Sequence, residues 1–190
     1  MGDSGVGKTS ISKRFTLDVF TEDAHSTKTV QTMNKIVQLQ KRRHPDSKRE
    51  PRMINVGLNI WDTLGQEKFR SIAKIFFKGA AGAFIVFDVC NQESFNNLTT
   101  WIELINESCD TRIVMCIIGN KTEKFGRKVP YNVVKEFAYG HGLGYIEVSA
   151  KTGKNIKQSF ECLARQIYEL TPVNLDDTIV AGHGDENAMD

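Results

Sequence analysis

The residues best able to do chemistry lie in the run from Gly2 to Thr9, which reads GDSGVGKT. This run fits the pattern of a phosphate-binding loop, in which glycines let successive backbone N–H groups turn toward a polyphosphate. Lys8 would add a positive charge beside the outer phosphates, and the hydroxyl of Thr9 would bind Mg²⁺. The alternative is a glycine-rich turn before a helix, and it requires a coincidence that we expect in only about one chain per hundred.

The strand that normally leads into such a loop is missing, because only Met1 precedes Gly2. We therefore expect the chain to be an N-terminally truncated form of its domain, with the missing strand central in the sheet. Adjacent strands lie about 4.8 Å apart, so backbone groups that lose this neighbour should remain unpaired at a cost of roughly 1 to 3 kcal/mol each.

Composition limits the classes of protein to which the chain can belong. Its 190 residues suit one domain, and 40% hydrophobic with 25% charged residues is ordinary for a soluble globular protein. The longest apolar run, at 113–118, is too short to span a bilayer, and the N-terminus does not resemble a secretion signal. The four cysteines have no metal-binding spacing. These features predict a cytoplasmic protein with reduced thiols.

Charge is unevenly distributed, although the net charge is only +2. Residues 41–52 hold six basic and two acidic side chains, and residues 171–190 hold five acidic side chains and no lysine or arginine. The basic segment is most simply a solvated loop tip, so we expect no specific nucleic-acid binding and only weak, salt-screened attraction to anionic membranes. The last segment has no periodicity and is predicted to be a disordered acidic tail after a domain that spans residues 1–170.

Hydrophobic periodicity predicts an α/β fold with a mostly parallel sheet. A first helix follows the loop and ends before Phe20, and a hairpin then pairs an edge strand near 36–39 with a strand at 54–60. Continuous apolar strands are predicted at 83–89, 113–118 and 145–148, and helical spacing is found over 95–105, 133–137 and 156–167. Strands and helices that alternate in this way predict parallel strands buried on both faces.

Three further polar motifs follow predicted strands directly. They are DTLGQ at 62–66, NKTE at 120–123 and Ser-Ala-Lys at 149–151. Because the carboxyl ends of parallel strands meet at one edge of a sheet, we expect these motifs and the phosphate-binding loop to converge there.

In this order the motifs resemble those of the Ras superfamily of small GTPases, and the residues around them are most similar to the Rab branch. The resemblance covers Gly2 to about Leu170 and is carried by WDTLGQEKFR at 61–70, Gly79-Ala80, Asp88-Val89 and Glu93-Ser94-Phe95. It implies a P-loop NTPase fold of the small GTPase type with one antiparallel edge strand. It also implies that GTP or GDP binds together with Mg²⁺.

The resemblance assigns roles to individual residues by matching position. Gln66 would be the catalytic residue that orients the attacking water, and Mg²⁺ would be held by Thr9, Thr27 and, through water, Asp62. The phosphate-binding set would be Ser4, Gly5, Val6, Gly7, Lys8, Thr9, Ser10, Thr27 and Gly65. The guanine-binding set would be Phe20, Asn120, Lys121, Glu123, Ser149, Ala150 and Lys151.

Two positions near the nucleotide depart from the family pattern, which usually has alanine at Leu64 and aspartate at Glu123, and the segment 28–32 after Thr27 departs as well. The branched side chain of Leu64 lies beside Gly65, so we expect it to slow hydrolysis. Glu123 keeps the two oxygens that accept the N–H groups of guanine but adds one methylene. We therefore expect guanine to be preferred over adenine with weakened affinity, while the N–H of Ala150 donates to the base carbonyl oxygen.

The favoured function is a guanine-nucleotide switch that hydrolyses GTP slowly and acts in vesicle trafficking. An exchange factor, a GTPase-activating protein and an effector would bind through Thr27–Thr32 and Gly65–Phe77. No cysteine follows Cys162 to carry a lipid, so we expect a cytoplasmic monomer that reaches endomembranes through its partners. One alternative is a degenerate interaction module of the same fold that binds nucleotide weakly or without switching. A small-molecule kinase is a poorer alternative, because it gives no part to residues 61–66 and 149–151.

Overall fold

The protein is described by a computed structural model over residues 1–22, 30–40, 53–63, 79–109 and 113–171. Five helices and five strands lie within these ranges. In chain order they are α1 (Lys8–Leu17), β1 (Gln31–Gln40), β2 (Met53–Asp62), β3 (Gly82–Asp88), α2 (Gln92–Asn96), α3 (Leu98–Ser108), β4 (Val114–Asn120), α4 (Tyr131–Gly140), β5 (Gly144–Glu147) and α5 (Ile156–Leu170). The predicted order is confirmed, but Asn97 divides the helix expected over 95–105 into α2 and α3.

The strands form two hydrogen-bonded sheets. β1 and β2 are antiparallel, and β3, β4 and β5 are parallel with β4 in the centre. The α/β class and the antiparallel edge strand are therefore as predicted, but no ladder joins β2 to β3 within the described ranges. Met1 instead bonds the edge of β3 opposite β4: its amine donates to the Phe84 carbonyl at 2.6 Å, and the Val86 N–H donates to the Met1 carbonyl at 2.8 Å.

The hairpin alternates in burial, as expected for a sheet with one face on the core. Ile54 and Val56 of β2 are buried, and their partners in β1 are Leu39 and Val37. Ile36 lies on the opposite face and is 70% exposed, so the apolar residues at 36 and 39 do not share a face.

Two apolar clusters cover the faces of the parallel sheet. Because side chains alternate along a strand, Phe84 and Val86 of β3 face the first cluster, whereas Ile85 and Phe87 face the second. The first cluster also contains residues of α1, α5 and the hairpin, so it joins the two sheets by side-chain packing. The second contains residues of α3 and α4. These clusters fix the carboxyl ends of the strands, where the predicted site residues lie.

Candidate functional site

The phosphate-binding loop lies against the carboxyl end of β4 and leads directly into α1. Gly7 ends the loop with a φ of 98°, a left-handed conformation that glycine adopts without strain. A Cβ atom at Gly7 would lie 2.3 Å from Nδ2 of Asn120, so the close approach requires glycine. No side chain caps the start of α1, and its first backbone N–H groups can therefore donate to an anion.

Lys8 lies across this loop. Its Nζ donates to the carbonyl oxygens of Gly2 at 2.9 Å and of Asp3 at 2.6 Å. The lysine charge is thus held on the loop itself, where an anion bound by the helix N-terminus would meet it. The other predicted phosphate residues in the described ranges lie in the same loop or first helical turn: Ser4, Gly5, Val6, Thr9 and Ser10.

Asp62 ends β2 and is only 2% exposed. Neither of its carboxylate oxygens has a partner in good hydrogen-bond geometry, although the Thr9 hydroxyl and the Lys8 ammonium lie near enough to lower its pKa. Burial raises the pKa of Asp62, and the Thr9 hydroxyl and the Lys8 ammonium offset this only in part. A buried carboxylate with free lone pairs beside a hydroxyl suits a hard divalent cation, so Asp62 and Thr9 fit Mg²⁺. The described residues contain no cluster of three or more metal-ligating His, Cys, Asp or Glu side chains.

Asn120 joins the phosphate-binding loop to the predicted base-binding residues. It is 1% exposed, and its Nδ2 donates to the Val6 carbonyl at 2.9 Å. Its Oδ1 accepts the backbone N–H of Ala150 at 3.1 Å. The N–H that we expected to reach a base carbonyl is therefore bonded to Asn120, and a bound base would have to share it.

Lys121 makes a second connection between the same segments. Its Nζ lies 2.7 Å from the carboxylate of Asp88 and donates to the Gly5 carbonyl at 2.7 Å. Lys121 has a φ of 68°, a left-handed conformation that is uncommon for a residue with a side chain. The lysine is thus tied both to β3 and to the phosphate-binding loop.

Glu123 presents a buried carboxylate oxygen, Oε2, that has no hydrogen-bond partner. Glu22 raises the pKa of Lys151 through a hydrogen bond, and the charge of Glu123 raises it further, which places Glu123 near the 149–151 loop. An unpaired buried acceptor is costly, so this oxygen is suited to accept an N–H group from a ligand.

Phe20 follows α1 and packs against the first apolar cluster.

Ser149 is fully buried, and its hydroxyl accepts the backbone N–H of Thr152 at 3.0 Å. The Ser149 hydroxyl therefore holds its own loop together. The structure brings this loop to Asn120, so the base-side motifs at 120–123 and 149–151 lie side by side.

Sequence reasoning missed the contacts of Asp3. The Asp3 carboxylate accepts Nε1–H of Trp101 at 2.8 Å and Nδ2–H of Asn97 at 2.7 Å. The phosphate-binding loop is thus tied to α3, and the break between α2 and α3 lies at the residue that makes one of these bonds. A carboxylate in a phosphate-binding loop is itself a signal, because it must be kept away from the phosphates.

Two arginines were also missed. Arg14 of α1 donates to backbone carbonyls in the 149–151 loop. Arg127 bonds both carboxylate oxygens of Glu147 at 2.8 Å, and the Tyr145 hydroxyl donates to the same carboxylate at 2.7 Å. Both arginines contact the base side but lie outside its sequence motifs. Neither their residue type nor their spacing in the sequence predicts these contacts.

Several predicted residues lie outside the described ranges. These are Thr27, Gly65 and Gln66, together with Leu64 and most of the predicted partner-binding segments 27–32 and 65–77. Their roles stay predictions. Among the described helices, none has the length and apolarity needed to cross a bilayer.

The chain is similar in sequence to known proteins. A model of the Ras family matches residues 1–169. The chain is 38% identical over 180 residues to GTP-binding protein YPT1 of Saccharomyces cerevisiae, covering 94% of this chain and 82% of that protein. It is 34% identical over 183 residues to Ras-related protein Rab-11C of Dictyostelium discoideum, covering 94% and 76%. It is 32% identical over 188 residues to Ras-related protein RABA4b of Arabidopsis thaliana, covering 98% and 77%.

Proposed function

The chain belongs to the Ras family, and on this premise we propose that it is a Rab-like small GTPase that acts as a switch in vesicle trafficking. It binds GTP and GDP and hydrolyses GTP to GDP and phosphate. The observation that carries the proposal is the bonding of Asn120 to both Val6 and Ala150, which unites the phosphate and base sides in one site. A small-molecule kinase would give no part to the 149–151 loop that Asn120 holds.

On the phosphate side, the N-terminus of α1 and the Lys8 ammonium bind and orient the polyphosphate. Thr9 and Asp62 would hold Mg²⁺, with Asp62 acting through water. When bound, the ion would neutralise charge that develops on the phosphate oxygens. Gln66 would orient the attacking water, and Thr27 and Gly65 would respond to the outermost phosphate, as the family resemblance implies.

On the base side, Glu123 is the acceptor that selects guanine. Guanine offers a ring N–H and an exocyclic amine to a carboxylate, and adenine offers no matching pair of donors. The unpaired Oε2 of Glu123 supports this role. The extra methylene relative to aspartate displaces the carboxylate, so affinity should improve in Glu123→Asp, by up to about a hundredfold if the displacement approaches 1 Å.

The direct test is to identify the nucleotide that copurifies with the protein and to titrate labelled GDP and ATP. We expect bound guanine nucleotide and a clear preference for GDP. Protein that carries no nucleotide and binds GDP only weakly would instead favour the degenerate interaction module, and tight ATP binding would overturn the guanine assignment. Equal dissociation constants for the wild type and Glu123→Asp would remove the penalty assigned to Glu123.

The switch needs partners, and the segments Thr27–Thr32 and Gly65–Phe77 are proposed to bind an exchange factor, a GTPase-activating protein and an effector. These partners would bring the protein to endomembranes. Sedimentation with anionic liposomes tests this point. Binding to lipid alone that persists at high salt would contradict recruitment through partners, because salt screens attraction by a basic loop.

A further inference from the structure

We infer that Arg14 is a positioning residue for the base side of the site, an inference that rests on the proposed function. Arg14 lies in the last turn of α1, and its side chain is 18% exposed. Its Nε donates to the Ala150 carbonyl at 2.9 Å, and its Nη2 donates to the Lys151 carbonyl at 2.8 Å. One guanidinium therefore fixes two consecutive peptide groups of the loop that lies beside the proposed base site.

The guanidinium is itself held from the other side. Its Nη1 donates to the backbone carbonyl and to Oδ1 of Asp18, each at 3.0 Å. Asp18 ends α1 with a φ of 56°, so the helix terminus turns back toward its own arginine. With four hydrogen bonds, the planar guanidinium has a single orientation relative to α1.

The 149–155 loop also closes on itself. The Gly153 N–H donates to the Ser149 carbonyl at 2.8 Å, and the Ser149 N–H donates to the Lys154 carbonyl at 3.1 Å. These bonds set the shape of the loop but not its position in the domain. Position comes from contacts outside the loop, with Asn120 holding the N–H of Ala150 and Arg14 holding its carbonyl.

Helix α1 therefore serves both sides of the site. Its N-terminus follows the phosphate-binding loop, and Arg14 near its C-terminus holds the base loop. The distance between phosphate and base contacts is then fixed by one rigid helix. A lysine at this position would keep the charge, but its single ammonium lacks the planar fork that reaches two carbonyls and Asp18 together.

The test compares two ligands that differ at positions 1 and 6 of the purine. GDP has a ring N–H at position 1 and a carbonyl oxygen at position 6, and 2-aminopurine riboside diphosphate lacks both but keeps the amine that donates to Glu123. Arg14 bonds the 149–151 loop, so its variants test the contribution of the carbonyl oxygen. If Arg14 positions the loop that reads this oxygen, Arg14→Ala should weaken GDP about tenfold and the carbonyl-free analogue less than about twofold. Arg14→Lys should show a smaller change in the same direction, and it replaces the alanine variant if that variant does not fold.

Arg165→Ala is the matched control. Arg165 also donates to a backbone carbonyl, that of Gln40 at 2.6 Å, but it lies in α5 and holds the hairpin. Both ligands should bind this variant as they bind the wild type. Equal weakening of both ligands by Arg14→Ala would show a merely structural role, and unchanged GDP binding would also overturn the inference.

The same titrations separate this inference from the function on which it rests. A wild type that prefers GDP over the analogue, combined with Arg14 variants that keep the full preference, overturns the positioning role alone. A wild type that binds both ligands equally overturns the guanine assignment and this inference with it.

Discussion

The base side and the phosphate side of the site differ in how their polar groups are paired before a ligand binds. On the base side, Asn120 and Lys121 each bond two partners, and only one oxygen of Glu123 is buried without a partner. On the phosphate side, both oxygens of Asp62 are buried and unpaired. In the described part of the chain, these three carboxylate oxygens are the buried side-chain polar atoms that have no hydrogen-bond partner.

This difference in pairing means that ligand binding should have different effects on the two sides. A paired network holds its geometry before the ligand arrives, so the base side can select a ligand without being rebuilt. An unpaired buried carboxylate destabilises the free protein until a cation or donor reaches it. We therefore expect the base side to control specificity and the phosphate side to control how strongly ligand binding stabilises the domain.

Asn120→Ala should have the largest effect, because it removes the residue that joins the two sides. The substitution leaves the Val6 carbonyl and the Ala150 N–H unpaired in a buried place. At roughly 1 to 3 kcal/mol for each group, the free energy of unfolding should fall by about 2 to 6 kcal/mol. Urea unfolding measures the loss. Asn59→Ala, on the exposed face of β2, is the control, and an equal loss in both variants would mean that the network is not paired as described.

Asp62→Asn should separate stability from ligand binding. Because burial raises the pKa of Asp62, the ionised form is disfavoured in the folded state. Removing the charge should stabilise the nucleotide-free domain by about 1 to 3 kcal/mol and reduce the added stability that Mg²⁺ gives to the GDP complex. Thermal unfolding with and without Mg²⁺ measures both effects.

Asp62 should affect the pH dependence of the free energy of unfolding in a direction set by its raised pKa. A folded-state pKa above the unfolded value contributes stability at low pH, and that stability is lost as pH rises through the raised pKa. The nucleotide-free wild type should show this component, and Asp62→Asn should lack it. Glu103→Gln is the control: it removes the same charge from an exposed side chain of α3, and the low-pH component should remain in that variant. A slope that survives in Asp62→Asn would assign the titration to another group.

On the base side, Glu147 should affect the pH dependence of stability in the opposite direction to Asp62, and Glu147→Gln should remove this effect. Burial alone would raise the pKa of Glu147, but hydrogen bonds from Arg127 and Tyr145 outweigh it and lower the pKa. Glu147 therefore stabilises the fold at pH values above 4.5, the ordinary pKa of glutamate. This stabilisation is lost as the pH falls through the lower folded-state pKa. The variant should lose about 1 kcal/mol at neutral pH, since the pair is partly exposed to solvent.

Urea unfolding measured from neutral pH to below 4.5 checks this component. Lys157, which is 80% exposed and lies 3.7 Å from Glu161, offers a control ion pair. Glu161→Gln should change stability little at any pH. If Glu147→Gln behaves like this control, Arg127, Tyr145 and Glu147 do not form a stabilising network on the base side.

Trp101→Phe should have the smallest effect. The phenyl ring fills only part of the buried place of the indole. The bond from Nε1 to Asp3 is lost, while the bond from Asn97 remains. One lost hydrogen bond of about 1 kcal/mol should speed GDP dissociation roughly fivefold. Stopped-flow release of labelled GDP measures the rate, and Tyr139→Phe, at a ring 87% exposed, should leave it unchanged. A rate equal to that of the wild type would show that α3 does not hold the phosphate-binding loop.

The element order could be predicted from the sequence, because apolar runs and helical spacing are local patterns. The convergence of the described motif residues could also be predicted, since parallel strands end at one edge of a sheet. The bracing contacts could not be predicted, because Arg14 and Ala150 lie 136 residues apart and Asp3 and Trp101 lie 98 apart. No local pattern indicates such pairs. The break at Asn97 was missed for the same reason, since its amide bonds a residue 94 positions away.

Among the residues that the structure describes, the two sheets share a core cluster but no backbone ladder, which has a consequence for how the domain opens. Backbone hydrogen bonds must break together along a ladder, whereas side-chain packing can be lost at one boundary. The hairpin of β1 and β2 can therefore separate from β3 as one cooperative unit, while Met1 protects the edge of β3 at Phe84 and Val86. In native-state hydrogen exchange, the hairpin amides would lose protection through a partial opening that leaves the amides of β4 protected.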